Sequence, residues 1–343
     1  MSSIIRFAVV GCGHIGLRHT EKITANDRAE VAALVDIRPK EETLRGKGYD
    51  EVPYFESLET LLSSGVDFDV ASICVPNGLH FPIAQKLLQA GKHVLVEKPM
   101  VLYPEQGGQL IRIAKENNCQ IFGVLQNRYT PVCVWFKELL NTKRMGQIYS
   151  VDLECYWNRD DRYYRGDWHG DREMDGGTLF TQYSHFLDLL LWFFGDAQVL
   201  STHFANYNHS HSIDFEDSGV VQLSFVESKA CGTLRYSTAV YGSNCGVRLS
   251  VLAEKGCVVL NGPFMNRVEH CIIENYTLPQ IMESEPGNHY GAYSGSAQNH
   301  HLVINNVVEA LLGHSAEVVR CDDALKVVRF IRDIYKNNPY LKS

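Results

Sequence analysis

Six residues near the start, Gly11-Cys12-Gly13-His14-Ile15-Gly16, have the spacing that cradles a pyrophosphate. They follow an apolar run, Ile5 to Val10, and open a helical pattern that continues to Thr24. Gly11 permits a tight turn, Gly13 lets backbone approach the phosphates, and Gly16 lets helix pack on strand. The helix N-terminus, with His14 and Ile15 beside it, offers N–H groups and positive dipole to the anion. Asp36 lies 20 residues beyond Gly16, at the end of the second predicted strand. A carboxylate there accepts hydrogen bonds from a ribose 2′-OH and repels a 2′-phosphate, so NAD is favoured over NADP. Ile37 and Arg38 follow on the same edge, and Arg38 is the residue that would serve NADP.

Glu97-Lys98-Pro99 follows a second buried-strand pattern, His93 to Val96. Ligands of an open α/β sheet bind beyond the carboxyl ends of its strands, which is where this order puts Lys98. An ammonium there can stabilise charge growing on a reacting oxygen. Further on, Gly176-Gly177 leads into a helix that carries His185 and Asp188. These two stand three apart and share a helix face. An imidazole titrates near neutrality and suits proton transfer. Metal chemistry is not expected. His209-Ser210-His211 sits in Asn- and Ser-rich sequence and reads as a solvated turn. His300 and His301 are adjacent and point apart on a helix, so they do not chelate together.

These residues need elements to hold them. Residues 1–125 alternate strand and helix: strands at 5–10, 31–35, 70–75, 93–96 and 120–124, helices at 16–24, 57–64, 81–90 and 104–117. That alternation predicts a parallel, doubly wound α/β sheet. From residue 126 the pattern changes. A helix over 132–140 and a strand over 148–157 lead to a polar, aromatic loop over 158–177. A helix over 178–194 then precedes strands at 199–207, 219–226, 230–238, 248–253 and 257–260. Helices over 299–312 and 324–337 close the chain. The expected division is a Rossmann domain over 1–125 and an α+β domain with a large, mostly antiparallel sheet over 126–343.

Composition sets bounds. A chain of 343 residues exceeds one ordinary core. Lys plus Arg is 32 and Asp plus Glu 40, so the net charge of -8 gives no basic footprint for nucleic acid. No apolar run reaches the roughly 18 residues of a membrane helix. The start is not a signal peptide, because Arg6 interrupts its apolar run. The ten cysteines have no CxxC spacing and read as reduced thiols of a cytoplasmic protein.

Taken together, Gly11 to Gly16, Val75-Pro76-Asn77, His80, Glu97-Lys98-Pro99 and Gly176-Gly177 with His185 resemble the glucose–fructose oxidoreductase/inositol dehydrogenase (Gfo/Idh/MocA) family over essentially the whole chain. The resemblance implies a Rossmann domain followed by an α+β domain, and transfer of hydride between NAD(P) and a sugar or cyclitol hydroxyl. It also implies a homodimer or homotetramer formed through the C-terminal sheet. It assigns Lys98 and His185 to catalysis. It places Val75, Pro76, Asn77, His80, Glu97 and Trp168 near the cofactor. Asn127, Arg128, Tyr164, Arg165, Thr181 and Asp188 fall to the substrate side. Asn127-Arg128, Tyr149, Trp157, Tyr163-Tyr164, Trp168, Gly170, Asp175-Gly176-Gly177 and Asp188-Leu189-Leu190 are similar to the subgroup that oxidises C3 of UDP-N-acetylglucosaminuronic acid. In the family an Asp often stands four residues before the His; here that position is Thr181. Relatives often carry Arg after the Trp; here it is His169, and Arg165 or Arg172 could supply the charge. A glycosidase using NAD transiently, and a non-catalytic NAD-binding regulator, are the alternatives.

Overall fold

The computed structural model describes residues 4–165, 168–288, 293 and 295–341. The chain forms two compact units, Met1–Leu125 with His300–Val328, and Gln126–Asn299 with Arg329–Ser343.

The first unit is built on strands β1 (Ile5–Val10), β2 (Ala29–Val35), β3 (Tyr54–Phe55), β4 (Val70–Ile73), β5 (His93–Val96) and β6 (Ile121–Gly123). They pair in the order β3-β2-β1-β4-β5-β6, all parallel. This is the Rossmann order, with its switch point between β1 and β4. Every residue of β4 is buried, as expected of a parallel strand covered on both faces. Helix α1 (His14–Thr24) follows β1. Short α2 (Lys40–Thr43), then α3 (Leu58–Ser63), α4 (His80–Gln89) and α5 (Pro104–Glu116) provide the crossovers. The two-residue β3 has no counterpart in the strand pattern of the sequence.

The second unit opens with α6 (Pro131–Asn141) and β7 (Ile148–Tyr156). The aromatic segment after β7 contains two single turns, α7 (Asp161–Tyr164) and α8 (Arg172–Asp175). The apolar helix expected over 178–194 is two pieces: a π-helical stretch, Leu179–Tyr183, then α9 (Ser184–Phe194). Strands β8 (Ala197–Ala205), β9 (Ser218–Phe225), β10 (Cys231–Ser237), β11 (Gly246–Ala253), β12 (Gly256–Asn261) and β13 (Arg267–Ile273) complete a seven-stranded sheet. Its order is β13-β12-β11-β7-β10-β9-β8. Only β7 and β10 pair in parallel; the other neighbours are antiparallel. β7 alternates strictly. Val151, Leu153 and Cys155 are buried, while Asp152, Glu154 and Tyr156 on the other face are partly exposed.

Helix α10 (His300–Leu311) packs with α1 in the first unit, tied by Asn26 donating to Asn305 at 2.7 Å and by an Arg28–Glu309 ion pair. The last helix, α11 (Cys321–Tyr335), begins in the first unit, where Gly107 lets Leu325 lie directly on α5. All ten cysteines are free, and no helix of the described residues is long and apolar enough to cross a membrane.

Candidate active site

In the first unit the glycine loop has the shape its sequence implies. Gly11 has φ +90°, and a Cβ there would fall 2.5 Å from Cys74 O. A Cβ on Gly16 would fall 1.7 Å from Gly11 O. These two glycines are demanded by the fold. Gly13 is different: nothing lies within 4 Å of its would-be Cβ. It is the N-cap of α1 and makes no side-chain cap, so backbone can approach a pyrophosphate at this point.

Asp36 directly follows β2 and lies at the edge of this loop. Its Oδ2 accepts Cys12 N–H at 2.7 Å; Arg38 donates through N, Nε and Nη2 at 3.0, 2.9 and 3.0 Å. Burial opposes the charge, but these bonds hold the carboxyl below its ordinary value. Asp36 is thus ionised and already oriented, and Ile37 beside it is 90% exposed. Asn77 is buried just past β4. His80 is buried, with Nδ1 2.7 Å from Pro99 O and Nε2 2.9 Å from Val75 O. Its ring ties the turn after β4 to the one after β5, and burial keeps it below its ordinary pKa.

Lys98 follows β5, is half-buried, and precedes Pro99 through a cis bond. Its N–H donates to Glu97 Oε2 at 3.0 Å. Glu97 Oε1 faces His19 Nε2 at 3.0 Å and His300 Nε2 at 3.4 Å. His19 Nδ1 lies 2.7 Å from Ser72 Oγ. His19, Glu97 and His300 form, among the described residues, a buried trio of ligand type whose atoms lie within 4.8 Å of one another. The sequence signal for His19 was there to read: it stands three residues after Gly16, on the first helix.

In the second unit His185 lies in the first turn of α9 and is buried, its ring 6.2 Å from that of Trp157 and 5.3 Å from that of Phe186. Asp188, on the same helix, receives Arg128 Nε at 2.8 Å and Nη2 at 2.6 Å. Asn127, equally buried, accepts Ser296 Oγ at 2.8 Å. Thr181 lies in the π-helical stretch and donates to Asp175 Oδ1 at 2.5 Å. Asp175 Oδ2 also accepts Gly170 N–H at 3.1 Å. A carboxylate therefore does stand against position 181, supplied from six residues upstream.

Tyr164 is buried, its hydroxyl 3.4 Å from Thr238 Oγ1. Arg165 is exposed and pairs with Asp161 at 3.3 Å. Trp168 stacks on His169 at 4.1 Å between centroids. Arg172 donates to Tyr340 O at 2.6 Å. Gly166 and Asp167 of this loop lie outside the described residues. Arg159 escaped the reading of the sequence. It is buried, donates to Gln182 Oε1 at 2.7 Å, and stacks among Trp157, Tyr163 and Tyr293 at 4.8, 5.3 and 4.9 Å. His209 is not the solvated turn expected: it is buried, with Nδ1 3.1 Å from Asp217 Oδ2. His211 turns away to Asp161 at 3.0 Å.

Comparison with known proteins fits both halves. Residues 5–124 match the oxidoreductase family model described as an NAD-binding Rossmann fold, and residues 134–259 match the GFO/IDH/MocA C-terminal domain. The WlbA dehydrogenase of Bordetella pertussis, crystallised with NADH and UDP-GlcNAcA, is 29% identical. It superposes with a TM-score of 0.84 over 97% of this chain and 96% of its own. The WlbA of Chromobacterium violaceum, with the same two ligands, is 29% identical at a TM-score of 0.83, over 97% and 93%. Inositol 2-dehydrogenase of Rhizobium meliloti is 22% identical, covering 86% of this chain and 87% of its own. With the open phosphate cradle at Gly13 and the ionised Asp36, these matches make the chain an NAD-dependent oxidoreductase of the GFO/IDH/MocA family, acting on CH–OH groups.

Proposed function

We propose that this protein oxidises a hydroxyl of a nucleotide-linked sugar acid, with C3 of UDP-N-acetylglucosaminuronic acid as the reacting centre. The observation that carries this is the likeness, over 97% of the chain, to two dehydrogenases crystallised with NADH and UDP-GlcNAcA. Bound NAD would supply the acceptor for the hydride of the sugar carbon. Everything else falls to side chains. Lys98 donates a hydrogen bond to the reacting oxygen and stabilises the alkoxide-like charge that grows there. His185 takes the hydroxyl proton, the role of an imidazole general base. Gly11, Gly13 and Gly16 with the first N–H groups of α1 hold the pyrophosphate, and Asp36 the adenosine ribose. Trp168, Tyr164, Asn127 and Arg128 shape the substrate side. The open face of the seven-stranded sheet serves as the surface on which copies of the chain associate.

The test is direct. The purified protein is mixed with NAD and UDP-N-acetylglucosaminuronic acid, and NADH is followed by its near-ultraviolet absorbance. The expected result is NADH formation that falls about 100-fold or more in Lys98→Ala. Turnover of free sugars or cyclitols but not of the UDP-sugar acid would reject the substrate. Release of an aryl leaving group from an aryl glycoside without net NADH would replace the dehydrogenase by a glycosidase.

A further inference from the structure

Beneath Lys98 lies a chain of polar contacts that the proposed chemistry does not use. Ser72 Oγ on β4 meets His19 Nδ1 on α1 at 2.7 Å; His19 Nε2 meets Glu97 Oε1 at 3.0 Å; Glu97 Oε2 accepts the N–H of Lys98 at 3.0 Å. Ser72, His19 and Glu97 are all buried. His300, also buried, reaches the same Glu97 oxygen, Nε2 to Oε1 at 3.4 Å, its ring 5.3 Å from that of His19 and inclined by 63°.

Stability does not explain this arrangement. A buried ion pair recovers little more than its own desolvation, and packed apolar side chains often do as well. The surroundings nonetheless favour the charged form of both groups. Burial alone would lower His19, but Cys74 and Glu97 outweigh it and push the imidazole up to about 10. Burial works against the Glu97 carboxylate too, yet the bonds from His19 and His300 hold it well below its usual range. His300 is kept below its ordinary value by burial, against the pull of Glu97, with Arg18 opposing its charge as well. The groups around the pair are His300, Cys74 and Ser72. What they share is position. His19 sits on the helix whose N-terminus faces the dinucleotide site. Glu97 grips the backbone of the residue that carries the ammonium.

We propose that His19 is a positioning residue for Lys98. It acts through Glu97, with Ser72 fixing its ring and His300 set against the same Glu97 oxygen. The proposal rests on the reading of Lys98 as the group that meets the reacting oxygen. Held this way, Lys98 keeps one setting relative to α1, and so to the cofactor that α1 anchors. Misplacement by about 1 Å is enough to cost on the order of 100-fold in rate.

The experiment compares variants with whichever sugar of the panel above the wild type oxidises, and follows NADH affinity by fluorescence. His19→Leu is expected to lower kcat by about 10- to 100-fold with both KM values within about threefold. His19→Gln, whose amide nitrogen can replace Nε2 against Glu97, is expected to recover most of that loss. Adding Ser72→Ala to His19→Leu is expected to cost little more, because the two sit on one chain of contacts. Lys98→Met separates the outcomes. If Lys98→Met is inactive while His19→Leu turns over like wild type, the positioning role is overturned and the Lys98 reading stands. If Lys98→Met is active, or no sugar is oxidised at all, both fall. Should His19→Leu fail to fold or to bind NADH, Ser72→Ala decides, because it frees the His19 ring: wild-type kcat there overturns the proposal. So does one equivalent of Zn2+ kept through gel filtration by the wild type and lost in His300→Ala, which would give the trio to a metal.

Discussion

The hydroxyl of Thr181 donates to Asp175 Oδ1 at 2.5 Å, so a carboxylate meets position 181 without belonging to it. Asp175 is 1% exposed. Burial raises its carboxyl, against the bonds from Thr181 and Gly170. Installing the Asp that relatives often carry, Thr181→Asp, would set two carboxylates in one dry pocket, where both cannot ionise. The expected loss is about 2–4 kcal/mol at pH 8, read from urea unfolding, and smaller under acid. Thr181→Asp with Asp175→Asn should regain most of it. A single variant as stable as wild type would show that Thr181 does not hold Asp175.

Asp188 and Arg128 form a two-point pair with the carboxylate end buried, and the guanidinium also lies 5.6 Å over Trp192. Removing one partner strands the other. Asp188→Ala is expected to cost about 3–5 kcal/mol, and Asp188→Leu with Arg128→Met much less. Equal losses in the two would mean that packing around α9, not charge, sets the cost.

Much of this was written in local pattern. The runs Ile5–Val10 and His93–Val96 are strands over those same residues, because a parallel strand covered on both faces is simply apolar. The glycines at 11 and 16 announce themselves because the fold has no room for any other residue. Other features have no local signature. The π-helical stretch Leu179–Tyr183 keeps the apolar run of the helix after it, so one helix is read where two pieces exist. His209 lies in polar sequence that looks solvated, but Asp217, eight residues on, faces it across the turn. β13 begins at Arg267 with exposed polar residues, which is how an edge strand hides from a search for apolar runs. His300 meets Glu97 only because α10 returns to α1, and nothing within α10 names its partner.

Asp36 spends its carboxylate on Arg38 and Cys12, and the Arg38 side chain is 45% exposed. A ribose can therefore displace Arg38 into solvent without stranding either charge. In Asp36→Ala the guanidinium is released beside the site of the 2′-hydroxyl, where it can pair with a 2′-phosphate. The ratio of NADPH to NADH dissociation constants is expected to fall about 10- to 100-fold, measured by fluorescence titration. An unchanged ratio would remove Asp36 from cofactor choice.

Glu216 is buried within the second unit, accepting Tyr335 OH at 2.6 Å, Tyr236 OH at 3.0 Å and Asn338 Nδ2 at 2.7 Å. Burial raises its carboxyl from 4.5 to about 7, although these bonds pull the other way. The native state therefore binds this proton more tightly than the unfolded chain does. Its contribution to stability is complete below about pH 4.5 and is lost as pH rises through about 7. The whole swing is roughly 3 kcal/mol. Glu216→Gln cannot titrate, so the wild type should lose ground to it steadily between pH 5 and pH 8 in urea unfolding. The consequence reaches the site, because the Tyr335 hydroxyl that donates to Glu216 also accepts the N–H of Leu179, the first residue of the stretch carrying Thr181. A constant difference between the two proteins across that range would mean that Glu216 is ionised at every pH tested, with its three donors meeting the full cost of burial.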